Sequence, residues 1–228
     1  MTATNSEQIT IRVDEGHVVS ALFQAPNEPR ACFVLAHGAG AGMHHPFMAR
    51  VANGLANRGI ATLRYQFPYM ERRAKRPDPP ALAHATVRAA VAMAGRLAPE
   101  LPLFAGGKSF GGRMTSQAQA LMPLAGVRGL AFLGFPLHAA NRPSDERGQH
   151  LLGIHIPMLF LQGTRDALAD LQLLRALVER LGTRASLRLF AGADHSFHVP
   201  SRSKPAKEDV TEELLNALTA WIGSRTPC

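Results

Sequence analysis

Apolar positions change their spacing along this chain, and each change marks an element. Residues 8–13 and 17–25 read as two strands around Asp14-Glu15-Gly16, a turn signal, so the chain opens with a hairpin. From residue 31 to residue 36 the apolar run is continuous, as in strands buried on both faces, and it ends in His37-Gly38-Ala39-Gly40-Ala41-Gly42. Phe47, Val51 and Leu55 recur every fourth position, with Pro46 suited to a first helical turn and Gly59 to a stop.

The alternation then repeats. Residues 60–65 predict a strand, 67–80 a long loop and 81–97 a helix with Leu82, Ala89, Met93 and Leu97 along one side. Strands are expected at 101–105, 127–134, 157–162 and 185–190. Helices are expected at 109–121 and 167–181, and a last one carries Val210, Leu214, Leu218 and Trp221. Strands that alternate with helices imply parallel neighbours joined by right-handed crossovers, with helices on both faces. The expectation is one α/β domain over residues 1–228, with no repeat and no large cap. The candidates for a small lid are the loops at 66–80 and 135–153. In such sheets ligands bind beyond the carboxyl ends of the strands.

Composition narrows this picture. A chain of 228 residues with 46% hydrophobic content is long enough to bury its own core. The two cysteines, Cys32 and Cys228, have neither disulfide-framework nor metal-site spacing, which points to a reducing compartment. The start of the chain lacks a basic, then apolar, leader, and no apolar stretch reaches the ~20 residues of a membrane span, so a cytoplasmic protein is expected. A net charge of +8 raises nucleic acid as a partner. The basic residues are mostly scattered, however. The dense group Arg72, Arg73, Lys75 and Arg76 lies in a Pro-rich loop without a stacking platform beyond Phe67 and Tyr69, which argues against that partner and leaves room for an anionic substrate.

The sharpest chemical signal is Gly107-Lys108-Ser109-Phe110-Gly111, a G-x-S-x-G between a predicted strand and a predicted helix. A serine on so tight a turn needs small residues two before and two after it, which Gly107 and Gly111 supply, and it sits where helix N–H groups favour negative charge. A phosphate-binding loop would need glycine five residues before Gly107, where Pro102 stands. Serine is a weak nucleophile at neutral pH, so acyl transfer requires a base and an acid that orients the base, in the chain order Ser, acid, His. Asp166 and His195 each follow a predicted strand. Asp170 and Asp194 compete for the acid role; Asp170 falls one turn into a predicted helix and Asp194 points away from its neighbour in an extended chain, so Asp166 is preferred.

Backbone donors for the oxyanion are expected from Phe110, just after the serine, and from Ala39, with Gly40 close behind. The glycines of residues 37–42 do not make a dinucleotide fingerprint, because Met43 stands at its third glycine. His44 and His138 are candidate pocket residues. No histidine has the companions that a metal site needs, so neither metal nor cofactor is expected.

Taken with Phe67-Pro68-Tyr69-Met70, Arg76-Pro77-Asp78-Pro79-Pro80, Gly106-Gly107-Lys108-Ser109-Phe110-Gly111-Gly112-Arg113, Gly163-Thr164-Arg165-Asp166 and Asp194-His195-Ser196-Phe197, these segments resemble the small α/β-hydrolase superfamily proteins related to dienelactone hydrolases. The resemblance is closer to a bacterial hydrolase-like family whose domain also occurs in a subunit of an animal histone-acetyltransferase complex. It implies an α/β-hydrolase fold with a roughly eight-stranded, mostly parallel sheet and a Ser109, Asp166, His195 triad. Dienelactone hydrolases proper carry cysteine where this chain has Ser109, so their substrate is not carried over. The expected activity is hydrolysis of a small carboxylic ester through an acyl-enzyme. The alternative is a non-catalytic interaction module with a basic surface, as the chromatin-associated relatives suggest.

Overall fold

The computed structural model describes residues 6–200 and 210–226; Cys228 and the first five residues, read above for compartment and leader, lie outside them. Eight strands form one sheet: β1 (Ser6–Arg12), β2 (Val18–Gln24), β3 (Ala31–Ala36), β4 (Ile60–Tyr65), β5 (Leu103–Lys108), β6 (Val127–Leu133), β7 (Met158–Gly163) and β8 (Ala185–Phe190). Their spatial order is β1-β2-β4-β3-β5-β6-β7-β8. β1 pairs antiparallel with β2, and β2 with β4; the other neighbours are parallel. This is the expected α/β-hydrolase sheet, with its antiparallel hairpin at one edge.

Side chains alternate between the faces of each strand, and both faces are covered. In β3, Cys32, Val34 and Ala36 join one core, while Ala31, Phe33 and Leu35 join the other. The first core is closed by α3 (Pro80–Leu97), α4 (Phe110–Leu121) and α5 (Leu171–Leu181), and the second by α1 (Pro46–Ala56) and α6 (Val210–Gly223). The continuous apolar runs in the sequence arise because no face of the central strands meets water. β1 is the exception: it lies at the sheet edge, and most of its residues are exposed.

Four local expectations are corrected. The segment at 67–80 is not all loop; a short helix, α2 (Pro68–Glu71), starts on Pro68 and is too brief to show periodicity. β5 begins two residues later than expected and runs through Gly106 and Gly107, because Pro102 has no N–H for the ladder and its carbonyl instead accepts from Cys32 N at 3.0 Å. α5 begins at Leu171 rather than 167, since the Asp170 carboxylate caps it by accepting from Gln172 N and Leu173 N, both at 3.0 Å. The irregular segment after β6 contains a 3-10 helix, Glu146–Gly153.

Candidate active site

The carboxyl ends of β5, β7 and β8 face one another above the sheet, and each carries one of the three side chains singled out by sequence. Ser109 follows β5 with φ 50° and ψ −115°, a left-handed conformation that only a tight strand-to-helix turn holds in a non-glycine residue. Its neighbours make that turn possible. A Cβ at Gly107, where φ is +149°, would run into the Ala36 carbonyl, and one at Gly111 would sit 2.7 Å from the Ala36 Cβ. Gly106 has the same restriction against the Ala131 carbonyl, and the sequence reading did not single it out.

Ser109 Oγ and His195 Nε2 are 2.8 Å apart, and His195 Nδ1 lies 2.7 Å from Asp166 Oδ2. A carboxylate only accepts, so Nδ1 carries the ring proton and Nε2 is left to accept from the serine hydroxyl. The Asp166 side chain is fully buried, whereas the His195 side chain keeps 24% of its surface exposed. Two further donors hold the carboxylate: Gln162 Nε2 at 2.5 Å on Oδ2 and Leu168 N at 2.8 Å on Oδ1. Gln162 spans two loops, because its Oε1 accepts from Phe135 N at 2.9 Å. Its one sequence signal was a polar residue at the end of an apolar strand.

Neither rival carboxylate reaches the imidazole among the described hydrogen bonds. Asp170 is the α5 cap described above. Asp194 is not in an extended chain, as expected, but closes a tight turn, accepting from Ser196 N at 2.8 Å and His198 N at 2.9 Å. That turn presents His195 to Ser109. Gly163 lets the β7 and β8 ends approach, since a Cβ there would strike the Ala193 and Asp194 carbonyls.

Lys108 is a further residue whose role the sequence did not indicate. Its Nζ donates to the His195 carbonyl at 2.5 Å and lies 5.5 Å from the centre of the Phe197 ring. Burial pulls its pKa down from 10.5 to about 8, although Asp166 and Asp194 act in the other direction.

The loop after β3 approaches Ser109 from the opposite side. His37 fixes it: Nδ1–H donates to Gly38 O at 2.8 Å, while Nε2 accepts from Phe67 N at 3.1 Å. Burial lowers the pKa of His37 to about 4, so the ring is neutral and can play both parts. Tyr69 Oη donates to Ala39 O at 2.8 Å, which holds that carbonyl in place. Phe110 is the first residue of α4, where N–H groups have no intrahelical acceptor. Among the described residues the N–H groups of Phe110 and Ala39 have no backbone acceptor outside the regular elements. Gly40 is exposed, and a Cβ there would meet no protein atom within 4 Å.

Two cavities meet at Ser109. One, of about 350 Å³, lies beside His195 and is lined by Ala39, Gly40, Ala41, Phe47 and Met48 among others. The other, of about 850 Å³, runs between the segments that follow β4 and β6 and is lined by Arg72, Arg76, Arg113 and Arg147. Both expected pocket histidines are corrected. His44 is exposed and is not among the residues lining either cavity; its neighbour His45 lines the smaller one. His138 is a brace: Nδ1–H donates to Ala139 O at 2.8 Å and Nε2 accepts from Asp170 N at 2.7 Å, tying down the loop that carries Asp166. Among the described residues, no three His, Cys, Asp or Glu side chains group as a metal site, and no helix is long and apolar enough to cross a membrane.

The fold recurs in solved structures. The fold is similar to a dienelactone hydrolase from Anabaena variabilis (TM-score 0.77, 20% identity, 98% of this chain and 99% of that one). It is also similar to an α/β serine hydrolase without a lid from Xanthomonas campestris (0.76, 20%, 100% and 98%) and to an α/β serine hydrolase homologue from Coxiella burnetii (0.76, 18%, 97% and 99%). At these identities the likeness concerns the fold. A family model described as alpha/beta hydrolase domain matches residues 29–223, which span the sheet from β3 onward together with Ser109, Asp166 and His195. The chain therefore belongs to the alpha/beta hydrolase domain family.

Proposed function

We propose that this protein is a serine hydrolase of small carboxylic esters, working as one catalytic domain. The observation that carries the reading is the unbroken relay from Ser109 Oγ through the His195 imidazole to Asp166, with 2.8 and 2.7 Å links. His195 Nε2 takes the hydroxyl proton as Ser109 Oγ attacks the acyl carbon, and Asp166 holds the ring and balances the imidazolium charge. The oxyanion that forms is received by the Phe110 and Ala39 N–H groups, with Gly40 behind them. Collapse of the intermediate breaks the bond to the alcohol, which leaves with the proton from Nε2. Water, deprotonated by the same nitrogen, then attacks the acyl-serine and releases the acid.

Cys32, a free thiol that burial pushes up to about 12, takes no part and fits a protein of the reducing cytoplasm. A fluorophosphonate probe tests the reading. It should label wild-type protein on Ser109 and leave Ser109→Ala unlabelled; equal labelling of both proteins rejects it. Such labelling would also separate an enzyme from a non-catalytic interaction module, whose serine has no need of an activating base.

A further inference from the structure

The relay does not account for the charge of the larger cavity. Four arginines line it against one carboxylate, Asp78, and that carboxylate is already engaged. Asp78 Oδ1 accepts from Arg72 at 2.7 Å and Oδ2 accepts from Tyr69 N at 2.8 Å. Among the described residues, no ion pair joins Arg76, Arg113 or Arg147 to a carboxylate. Arg113 Nε is buried without a hydrogen-bond partner, a costly condition for a charged donor unless something else satisfies it. Burial and, after it, the charge of Arg147 both act against protonation of Arg113, so the two guanidiniums lie close enough to repel.

The chemistry of the relay assigns the two cavities. His195 Nε2 must hand its proton to the departing oxygen, so the alcohol portion belongs on the side His195 lines, which is the smaller cavity. The acyl portion then extends into the larger one. Arg113 lies four residues beyond Ser109, about one turn along α4, and both residues line the larger cavity.

We propose that the larger cavity takes an acyl chain ending in a carboxylate, held by Arg113 and Arg147, while a small neutral alcohol occupies the cavity beside His195. The substrate class is thus a monoester of a dicarboxylic acid. The proposal rests on the ester-hydrolase reading for its chemistry and on the arginines for its charge. A carboxylate placed between the two guanidiniums offsets their repulsion, and arginine's planar fork suits that pairing better than an ammonium does.

The test compares p-nitrophenyl hydrogen adipate with p-nitrophenyl hexanoate, which match in length and differ in terminal charge. Wild-type protein should favour the adipate about 10-fold or more in kcat/KM, as expected for a charge-assisted pair. Arg147→Gln and Arg113→Gln should each cut that preference several-fold, and Arg147→Lys should retain part of it, since it keeps the charge without the fork. A ratio at or below one in the wild type overturns the proposal.

A second measurement is independent of turnover. Calorimetry on Ser109→Ala should detect binding of monomethyl adipate, weakened about 10-fold when Arg147→Gln is added. No binding overturns the anionic site even if neutral esters are hydrolysed. Binding without hydrolysis of either ester by the wild type supports the site and rejects the ester-hydrolase reading instead.

Discussion

The two cavities that meet at Ser109 contrast in size, in charge and in the kind of chain that encloses them. The smaller one is built largely from the glycine-rich loop after β3 and the start of α1, held by His37 and Tyr69, and most of its lining is apolar. The larger one is enclosed by the two irregular segments that follow β4 and β6, and arginines dominate its polar lining. The turns at the carboxyl ends of β5, β7 and β8 carry the bond-breaking groups, while α4 and the segments after β4 and β6 carry the charge that would choose the acyl group. The same division explains how one fold can serve many ester chemistries, since the sheet ends stay fixed while the connecting segments vary.

The largest test removes what the two sides share. Asp166→Asn replaces an acceptor with an amide that can donate to Nδ1, which favours the wrong tautomer of His195. Hydrolysis of neutral and anionic esters should fall together by about 10⁴-fold in kcat. Steady-state kinetics on both ester types checks this, and a loss confined to one type would mean that the relay does not serve both cavities.

The next test addresses the smaller cavity alone. Ala41→Leu should crowd the alcohol portion and lower kcat/KM for butyl esters by about 10-fold relative to methyl esters of the same acid, a scale set by a few methylene groups in a tight pocket. If the discrimination appears among acyl groups rather than alcohols, the assignment of sides is reversed.

The third prediction concerns the support under the small side. His37 is protonated in the unfolded chain below its ordinary 6.5 but resists protonation in the fold until about 4. The folded state therefore binds fewer protons in that window, and stability falls as pH drops from 6.5 to 4, by about 3 kcal/mol for this residue. Urea denaturation across the window should show this slope. His37→Asn should reduce it, leaving the share of His150, whose pKa burial also lowers to about 4, and an unchanged slope would mean that His37 does not carry its part.

The smallest effect expected is at Lys108. Its ammonium loses its proton above about pH 8, which removes a positive charge beside the His195 carbonyl. Activity should decline several-fold between pH 7.5 and 9, and the decline should vanish in Lys108→Met. Unfolding would not explain it. Because burial makes the native chain release this proton before the unfolded chain does, Lys108 adds stability as pH rises from about 8 toward 10.5.

The contrast between the cavities also separates what could be read in the sequence from what could not. The parallel sheet was legible because runs such as 31–36 are apolar on both faces, and the strand-turn-helix around Ser109 because glycines flank it at the spacing a tight turn demands. Gln162, Lys108 and His138 were not legible as supports. Their roles lie in hydrogen bonds to backbone groups of distant loops, which leave no local pattern in the chain. Asp170 was misjudged because helix periodicity continues back through residue 167, whereas the start of α5 is set by a side-chain cap. The larger cavity was hidden for a similar reason. Arg72 and Arg76 were visible as a basic cluster in a loop, but nothing in the sequence brings Arg113 and Arg147 to the same wall.

The most direct test of the account is to trap the covalent intermediate. Rapid acid quenching of wild-type protein mixed with p-nitrophenyl hexanoate, followed by peptide mass spectrometry, should find the hexanoyl group on Ser109, with about one p-nitrophenol released per chain in an initial burst. Undiminished hydrolysis by Ser109→Ala, with no acyl adduct on the wild type, would contradict it.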